Sequence, residues 1–332
     1  MAGLPPVSEK PLVWVVTPVH DGETYLAECI ESVLAQTYDN WSYLVVDNRS
    51  TDGTADIVRE YARRDPRISL HQNTAFLPII ANWNHALRQL PPAARYCKVV
   101  HADDTLLPRC LERMVALAEQ NASVSIVTSY AIWGRDVRHD GFVAYAEEVV
   151  DGREVCRAAL LGQGYVFGSP SSLLLRADEV RRRPSFYNEQ NFHADTEVCF
   201  DLLRTTDLGF VHEILTRTRV HEEAMTSFAA RLDTFQSCWL TILYNYGRYY
   251  LDRRAYRRRW ARAVRRYVVF LAKAAVRGKF RDRAFRQHHR ETGAFVARAI
   301  AGNRGWSTWA PRRIEPPPLA HRDEREPTSD PR

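Results

Sequence analysis

Leu12-Val13-Trp14-Val15-Val16 is a continuous apolar, largely β-branched run, and Thr17-Pro18 ends it. A strand that is apolar at successive positions is buried on both faces, as the central strands of parallel sheets are. Working outward, the pattern alternates. Leu26, Ile30, Val33 and Leu34 recur at helical spacing, and Tyr43-Leu44-Val45-Val46 is a second strand. A helix is predicted over 54–63, a third strand over 68–70, a helix over 79–90 and a fourth strand over 96–100. Strand and helix in turn, joined by short loops, predict an α/β fold: a mostly parallel sheet flanked by helices. Ligands of such sheets sit at the carboxyl ends of the strands. Thr17, Asp47 and Asp103 all fall at that edge.

The middle of the chain is less regular. Ser125-Ile126-Val127 and Leu173-Leu174-Leu175 read as strands, Gly162, Gly164 and Gly168 punctuate a loop, and a helix starts near Asp195. From about Ala229 the chain becomes long, Arg-rich helix. Net charge is +6, unevenly spread: residues 231–304 hold 19 Lys/Arg against four acids. That excess points to an anionic partner. The six cysteines form no metal-type spacing and read as reduced core residues of a cytosolic protein. The first ten residues carry no apolar signal segment, and no run is long and apolar enough to span a bilayer.

Asp103 and Asp104 stand side by side at the mouth of the fourth strand. Adjacent carboxylates repel, and a divalent hard cation that also holds a diphosphate would reconcile them. Alone the pair would read as a solvated turn; its company gives it weight. Val15-Val16-Thr17-Pro18-Val19-His20-Asp21-Gly22, Cys29 to Tyr38, Val45-Val46-Asp47-Asn48-Arg49-Ser50-Thr51-Asp52-Gly53-Thr54, Asn82-Trp83-Asn84-His85-Ala86-Leu87 and His101-Ala102-Asp103-Asp104-Thr105-Leu106-Leu107-Pro108 occur in order. Together they resemble family 2 of the inverting glycosyltransferases, which have the GT-A fold, a Rossmann-like nucleotide-diphospho-sugar transferase architecture. Weaker matches follow at Gly168-Ser169-Pro170-Ser171, Ala194-Asp195-Thr196-Glu197 and Arg219-Val220-His221, so the resemblance spans about residues 11–228.

The resemblance implies a metal-dependent inverting transfer of a sugar from a UDP-, dTDP- or GDP-sugar to an acceptor hydroxyl, in surface polysaccharide, lipid-linked glycan or glycoconjugate synthesis. The nucleotide is expected against Asp47 and Asn48, with the Thr17-Pro18-Val19 loop as a wall and Asn84 in a minor role. Asn48 departs from the Asp-Asp of many relatives, which leaves the base open. Asp103 is expected at the ribose or sugar. Asp104 is expected on Mn²⁺ or Mg²⁺, with His221 as a further ligand, and an imidazole ligand favours Mn²⁺. His101 replaces the aspartate often found two positions before the pair. Asp195, at a helix start that would keep it ionised, is the expected base, with Glu197 its rival and His193 on the acceptor side. Ser50 to Thr54 read as a helix cap.

The expected organisation is an N-terminal tail (1–10), the GT-A domain (11–228), a basic helical extension (229–310) and a disordered tail (311–332). Arginines interleaved with Tyr256, Trp260 and Tyr267 suit a cytoplasmic enzyme lying peripherally on the inner face of a membrane, with the aromatic rings as anchors. A solvated helix face packed on the catalytic domain has the same signature. No nucleic-acid module is visible, so that partner ranks low. Two other functions compete. A nucleotidyltransferase making a nucleotide sugar would need a Gly-rich phosphate loop after the first strand, which Thr17 to Gly22 is not. A non-catalytic sugar- or lipid-binding relative would not need Asp47, Asp103, Asp104 and Asp195 together.

Overall fold

The computed structural model describes residues 10–138, 142–221 and 225–301. Strand and helix alternate at first: β1 (Val13–Val19), α1 (Leu26–Leu34), β2 (Trp41–Asp47), α2 (Thr54–Arg64), β3 (Ile68–Gln72), α3 (Ile79–Leu87), β4 (Tyr96–Val99). Then come β5 (Thr105–Leu106), α4 (Cys110–Gln120), β6 (Val124–Trp133), β7 (Asp136–Arg138), β8 (Val149–Val150), α5 (Gly152–Leu161), a 3₁₀ turn (Pro170–Ser172), β9 (Leu174–Arg176), α6 (Ala177–Arg181), α7 (Ala194–Leu202) and β10 (Asp207–Thr218). The described chain closes with α8 (Met225–Arg231), α9 (Thr234–Tyr250), α10 (Arg253–Val276) and α11 (Arg283–Ile300).

The sheet order is β3-β2-β1-β4-β9-β6-β10-β5, with β7 on β6 and β8 on β10. β1 lies parallel between β2 and β4. β9 runs antiparallel to both β4 and β6, so three residues join two parallel halves. The apolar run in β1 follows from its place. Val13 and Val15 enter one core cluster with Leu26, Ile30 and Leu111, while Trp14 and Val16 enter the opposite one with Trp83, Val155 and Phe200. Each such side chain buried contributes roughly 1.5–3 kcal/mol.

Several elements differ from expectation. β1 continues through Val19, so Thr17-Pro18-Val19 is buried strand and the loop begins at His20. α5 falls in the stretch read as irregular, although Asp151 caps its N-terminus by accepting from Arg153 and Glu154 N–H, and Gly162 ends it in the left-handed region at φ 78°. Ser50 and Thr54 do not cap α2. Their hydroxyls accept from Asp21 N–H (2.9 Å) and Gly22 N–H (2.8 Å), fastening the loop after β2 to the loop after β1. Asp252 and Asp282 cap α10 and α11, each cap contributing about 1 kcal/mol.

The helices after β10 share the core rather than hang from it. Cys238, Ile242, Leu243 and Tyr246 of α9 belong to the cluster that holds Trp14 and Phe200. The aromatic residues of α10, expected at a membrane, face inward. The Trp260 ring lies 5.8 Å from Tyr244 and 6.4 Å from Phe295, and the Tyr267 hydroxyl is 2.9 Å from His289 Nδ1. All six cysteines are buried and unpaired. Among the described residues no helix is long and apolar enough to cross a membrane. The tail expected over 311–332 lies outside the described residues, as do residues 1–9.

Buried histidines sit in the seam between α7, α9 and α11. His193 Nε2 meets Thr234 Oγ1 at 2.8 Å, and His288 Nε2 meets Ser237 Oγ at 2.6 Å. Burial pushes His193 down to about 4; burial, with His289 and His193 nearby, pushes His288 down to about 3. Both are therefore neutral in the fold, whereas the unfolded chain takes up their protons below about 6.5. Stability should fall as pH drops from about 6.5 towards 4, by about 1.4 kcal/mol per pH unit for each histidine. Denaturant unfolding of His288→Gln between pH 6 and 4 should show a slope shallower by about that amount. An unchanged slope would mean that His288 is protonated in the fold.

Candidate active site

The crevice is built where β1, β2 and β4 end. Asp21 (φ 49°) and Arg49 (φ 60°) take left-handed backbone just beyond β1 and β2, turning both loops sharply. Asp47 is fully buried. Its Oδ1 accepts from Ser50 N–H (2.8 Å) and its Oδ2 from Gln72 Nε2 (3.0 Å), which leaves lone-pair capacity on each oxygen. Asn48 does not offer the acceptor expected of it. Its Oδ1 already accepts from Asn73 Nδ2 and Leu77 N–H, both at 2.9 Å, and its Nδ2 donates to Leu77 O. The open acceptor beside it is Asn73 Oδ1, buried with no partner. Thr17 also departs from expectation. Its hydroxyl is wholly buried, 2.7 Å from Val100 O and 2.8 Å from the Tyr43 hydroxyl, so it ties β1 to its neighbours instead of lining the crevice. Pro18 and Val19 are buried with it.

Beyond β4 the chain turns at His101-Ala102-Asp103-Asp104, closed by Asp104 N–H donating to His101 O (3.0 Å). Ligand-type atoms of His101, Asp103 and Asp104 lie within 4.8 Å of one another. Asp104 is 2% exposed rather than solvent-facing as its place at a strand mouth suggested. Its Oδ1 accepts from Arg219 N–H (3.1 Å), while Oδ2 is buried without a partner. Burial first, and the Asp103 charge second, hold its carboxyl well above the usual range, against the opposing pull of Ser171 and Arg219. His221 reaches the cluster through Asp103: its Nε2 is 2.9 Å from Asp103 Oδ2. Its Nδ1 and His101 Nε2 are likewise buried and unpartnered. Orphaned polar atoms are costly; those of His101 and Asp104 belong to residues of the cluster, and that of His221 to a ring that adjoins it through Asp103. Carboxylate oxygens with imidazole nitrogens are a fitting donor set for a divalent cation, with Mn²⁺ favoured over Mg²⁺.

α7 carries the remaining candidates. Asp195, in its first turn, has no side-chain hydrogen bond among the described residues; only the backbone amides of Thr196 and Asp195 itself favour its charge. Burial outweighs those amides and pushes it up to about 6, so the helix start does not hold it as firmly ionised as expected. Glu197, two residues on, is committed elsewhere. It accepts from Asn191 Nδ2 (2.7 Å), Asn188 Nδ2 (3.0 Å) and the Tyr246 hydroxyl (3.4 Å). His193 turns away to α9, its ring 4.6 Å from Phe235. Asn84 is a further correction. Its Nδ2 donates to Ser185 Oγ, Tyr187 O and Glu189 Oε1, and its Oδ1 accepts from Tyr187 N–H, all within 3.0 Å. It secures the loop ahead of α7, which occupies its amide nitrogen rather than leaving it for a sugar donor.

Three supporting residues were given no role of their own by the reading of the sequence. Arg219 bridges the crevice: its Nε donates to Asp103 O, its guanidinium pairs with Glu28 and lies 4.5 Å from the Tyr25 ring centre. Ser171 accepts from His101 N–H (2.9 Å), and its carbonyl accepts from Lys98 Nζ (2.7 Å). Lys98 is fully buried in β4, and burial holds its amine below the ordinary lysine value. The signals were present: a lysine inside an apolar strand, and the arginine of the Arg-x-His segment.

Residues 14–147 match the family model for glycosyl transferase family 2. Among curated relatives, glycosyltransferase EpsE of Bacillus subtilis (strain 168) is 37% identical over 122 residues, covering 36% of this chain and 43% of that protein. The teichuronic acid biosynthesis glycosyltransferase TuaG of the same organism is 32% identical over 130 residues, covering 38% and 50%. The chain thus spans half or less of the length of these two relatives. Among solved structures, S. aureus TarS with UDP-GlcNAc superposes with a TM-score of 0.57 at 16% identity, over 78% of this chain and 73% of that one. A mannosyltransferase of Pyrobaculum calidifontis, with GDP-Man and Mn²⁺, gives 0.53 at 15% identity, over 90% and 89%. By its match over residues 14–147 and by its GT-A architecture, the chain carries a glycosyl transferase family 2 domain.

Proposed function

We propose that the chain is a metal-dependent inverting glycosyltransferase, taking a sugar from a nucleotide-diphospho-sugar to an acceptor hydroxyl on a glycan or lipid-linked carrier. The observation that carries this reading is the cluster of His101, Asp103 and Asp104, in which His101 Nε2 and Asp104 Oδ2 are buried without partners, with His221 joined to it through Asp103. A divalent cation held there would offset the negative charge that grows on a departing diphosphate. Asp47 and Asn73 keep open acceptors for the base. Asp195 takes the proton of the acceptor hydroxyl as that oxygen bonds to the anomeric carbon and the bond to the diphosphate breaks. Its raised pKa suits that work, because a general base is most effective when its pKa lies near the operating pH. The teichuronic acid naming of TuaG and the donor complexes of the two solved neighbours support a role in polysaccharide assembly with UDP- or GDP-sugars.

The metal assignment makes a two-sided prediction. Mn²⁺ at about a hundred times its Kd should stabilise the fold by about 2.7 kcal/mol. Asp104→Asn should lose that gain, yet melt no lower than the wild type in EDTA, because the amide matches the carboxyl in shape and carries none of the charge that burial and Asp103 disfavour there. Calorimetry of both proteins with and without Mn²⁺ checks this. Full transfer activity in EDTA would refute the metal role.

The base assignment fixes a pH profile. Turnover should rise with pH through about 6, as Asp195 loses its proton. Asp195→Asn should bind UDP normally but transfer about 10²–10⁴ times more slowly, with no limb near 6. An Asn variant that keeps the limb would place the base elsewhere.

A further inference from the structure

The outer face of α10 changes chemistry along one line. The helix holds nine Lys/Arg and no acid. Its inner side packs Trp260, Tyr267 and Ala274 against α9 and α11. At 3.6 residues per turn, Arg254, Arg258 and Arg265 share a stripe on the opposite, exposed side. That stripe continues into Val268, Val269, Ala272 and Val276, of which Val268 is 57% and Val276 90% exposed. None of the three stripe arginines makes an ion pair among the described residues, and α10 itself holds no acid, the Asp252 cap beside Arg254 being the acidic group at its start. A merely solvated arginine face would not be extended by exposed valines on the same line.

We propose that this stripe adsorbs to an anionic lipid bilayer. The arginines would meet lipid phosphates, and the valines would enter the boundary between headgroups and acyl chains. Charge complementarity selects an anionic surface, and the valine row selects a lipid over a nucleic acid or acidic polysaccharide, which offer valine no apolar phase. The aromatic side chains have no part in it, since they are held in the interior. The inference goes beyond sugar transfer and does not depend on it.

The test is co-sedimentation of the full chain, without donor or metal, on vesicles of phosphatidylcholine alone and of phosphatidylcholine with phosphatidylglycerol. Binding should be at least tenfold tighter to the anionic vesicles and should weaken as salt rises from about 0.1 to about 1 M, where the Debye length shrinks from about 10 to about 3 Å. Arg258→Glu/Arg265→Glu should lower it at least tenfold. Val268→Ser/Val276→Ser should lower it severalfold while leaving retention on heparin unchanged. These four side chains are at the surface, so UDP binding and the melting temperature should stay at wild-type values and show that the variants fold. Equal binding to both vesicle types, or valine variants that bind anionic vesicles as the wild type does, would overturn the proposal. The second outcome with strong heparin retention would assign the stripe to a soluble polyanion. Because no step requires a nucleotide sugar, failure here leaves the transferase reading untouched, and the reverse holds as well.

Discussion

Two carboxylates forced together, one of them out of water, set the terms for this crevice. Asp103 and Asp104 are adjacent, and Asp104 is 2% exposed. Taking even one carboxylate out of water costs several kcal/mol unless it is paired. The chain offers only partial relief: an amide from Arg219, the Ser171 hydroxyl, and a buried Lys98 within electrostatic reach. Arg219 reaches the turn from beyond β10 and is fixed by Glu28 and Tyr25 of the first loop and helix. Ser171 comes from the 3₁₀ turn before β9 and is fixed in turn by Lys98. Three separate parts of the chain thus hold one four-residue turn, yet Asp104 Oδ2 has no partner. A site so thoroughly braced and still short of positive charge supports the proposal of a cation there.

The two acids of α7 show how packing sorts roles that sequence leaves open. Asp195 and Glu197 are two residues apart in the same first turn, and both types suit a helix start. Glu197 is engaged by two asparagine amides and a tyrosine, which pins the 188–191 segment to α7 and α9. Asp195 has only backbone amides, and burial raises it to about 6. The structural acid is the one with partners, and the candidate base is the one without. Asn84 supports the same arrangement from α3, holding the 185–189 segment at both ends of its amide.

How much of this was legible depended on how local the cause was. The strands and helices of the first third announce themselves, because burial on both faces of a parallel sheet demands apolar runs such as Val13 to Val16. The turn bearing Asp103 and Asp104 was legible too, as a polar interruption at a strand end. Side-chain direction was not. Thr17 and Asn48 stand at the right edge, but whether a hydroxyl or amide faces the crevice depends on partners 26 to 83 residues away in sequence, such as Tyr43, Leu77 and Val100. The middle of the chain was least legible. β5, β7 and β8 have two or three residues each, too few to show a period, and they exist because longer neighbours offer them an edge; β9, equally short, was legible only through the run Leu173-Leu174-Leu175.

The basic helices carry the same lesson in a sharper form. Arginine and aromatic residues alternate along 253–267, and composition alone cannot say which of them faces out. In the fold, the rings of Trp260 and Tyr267 complete an aromatic seam with Tyr244, Phe295 and His289. That seam orients α10 completely, because a helix that buries one side must present the other. The arginine stripe and the valines that prolong it are therefore consequences of where the aromatic residues went. A helix needing only solubility would have put charge along its whole exposed side; this one stops placing it at Arg266, a turn and more before the exposed valines end, with Lys273 the one basic residue between there and Val276. The segregation is costly in water, where exposed valine gains nothing, and it makes physical sense against a surface with an anionic layer above an apolar one.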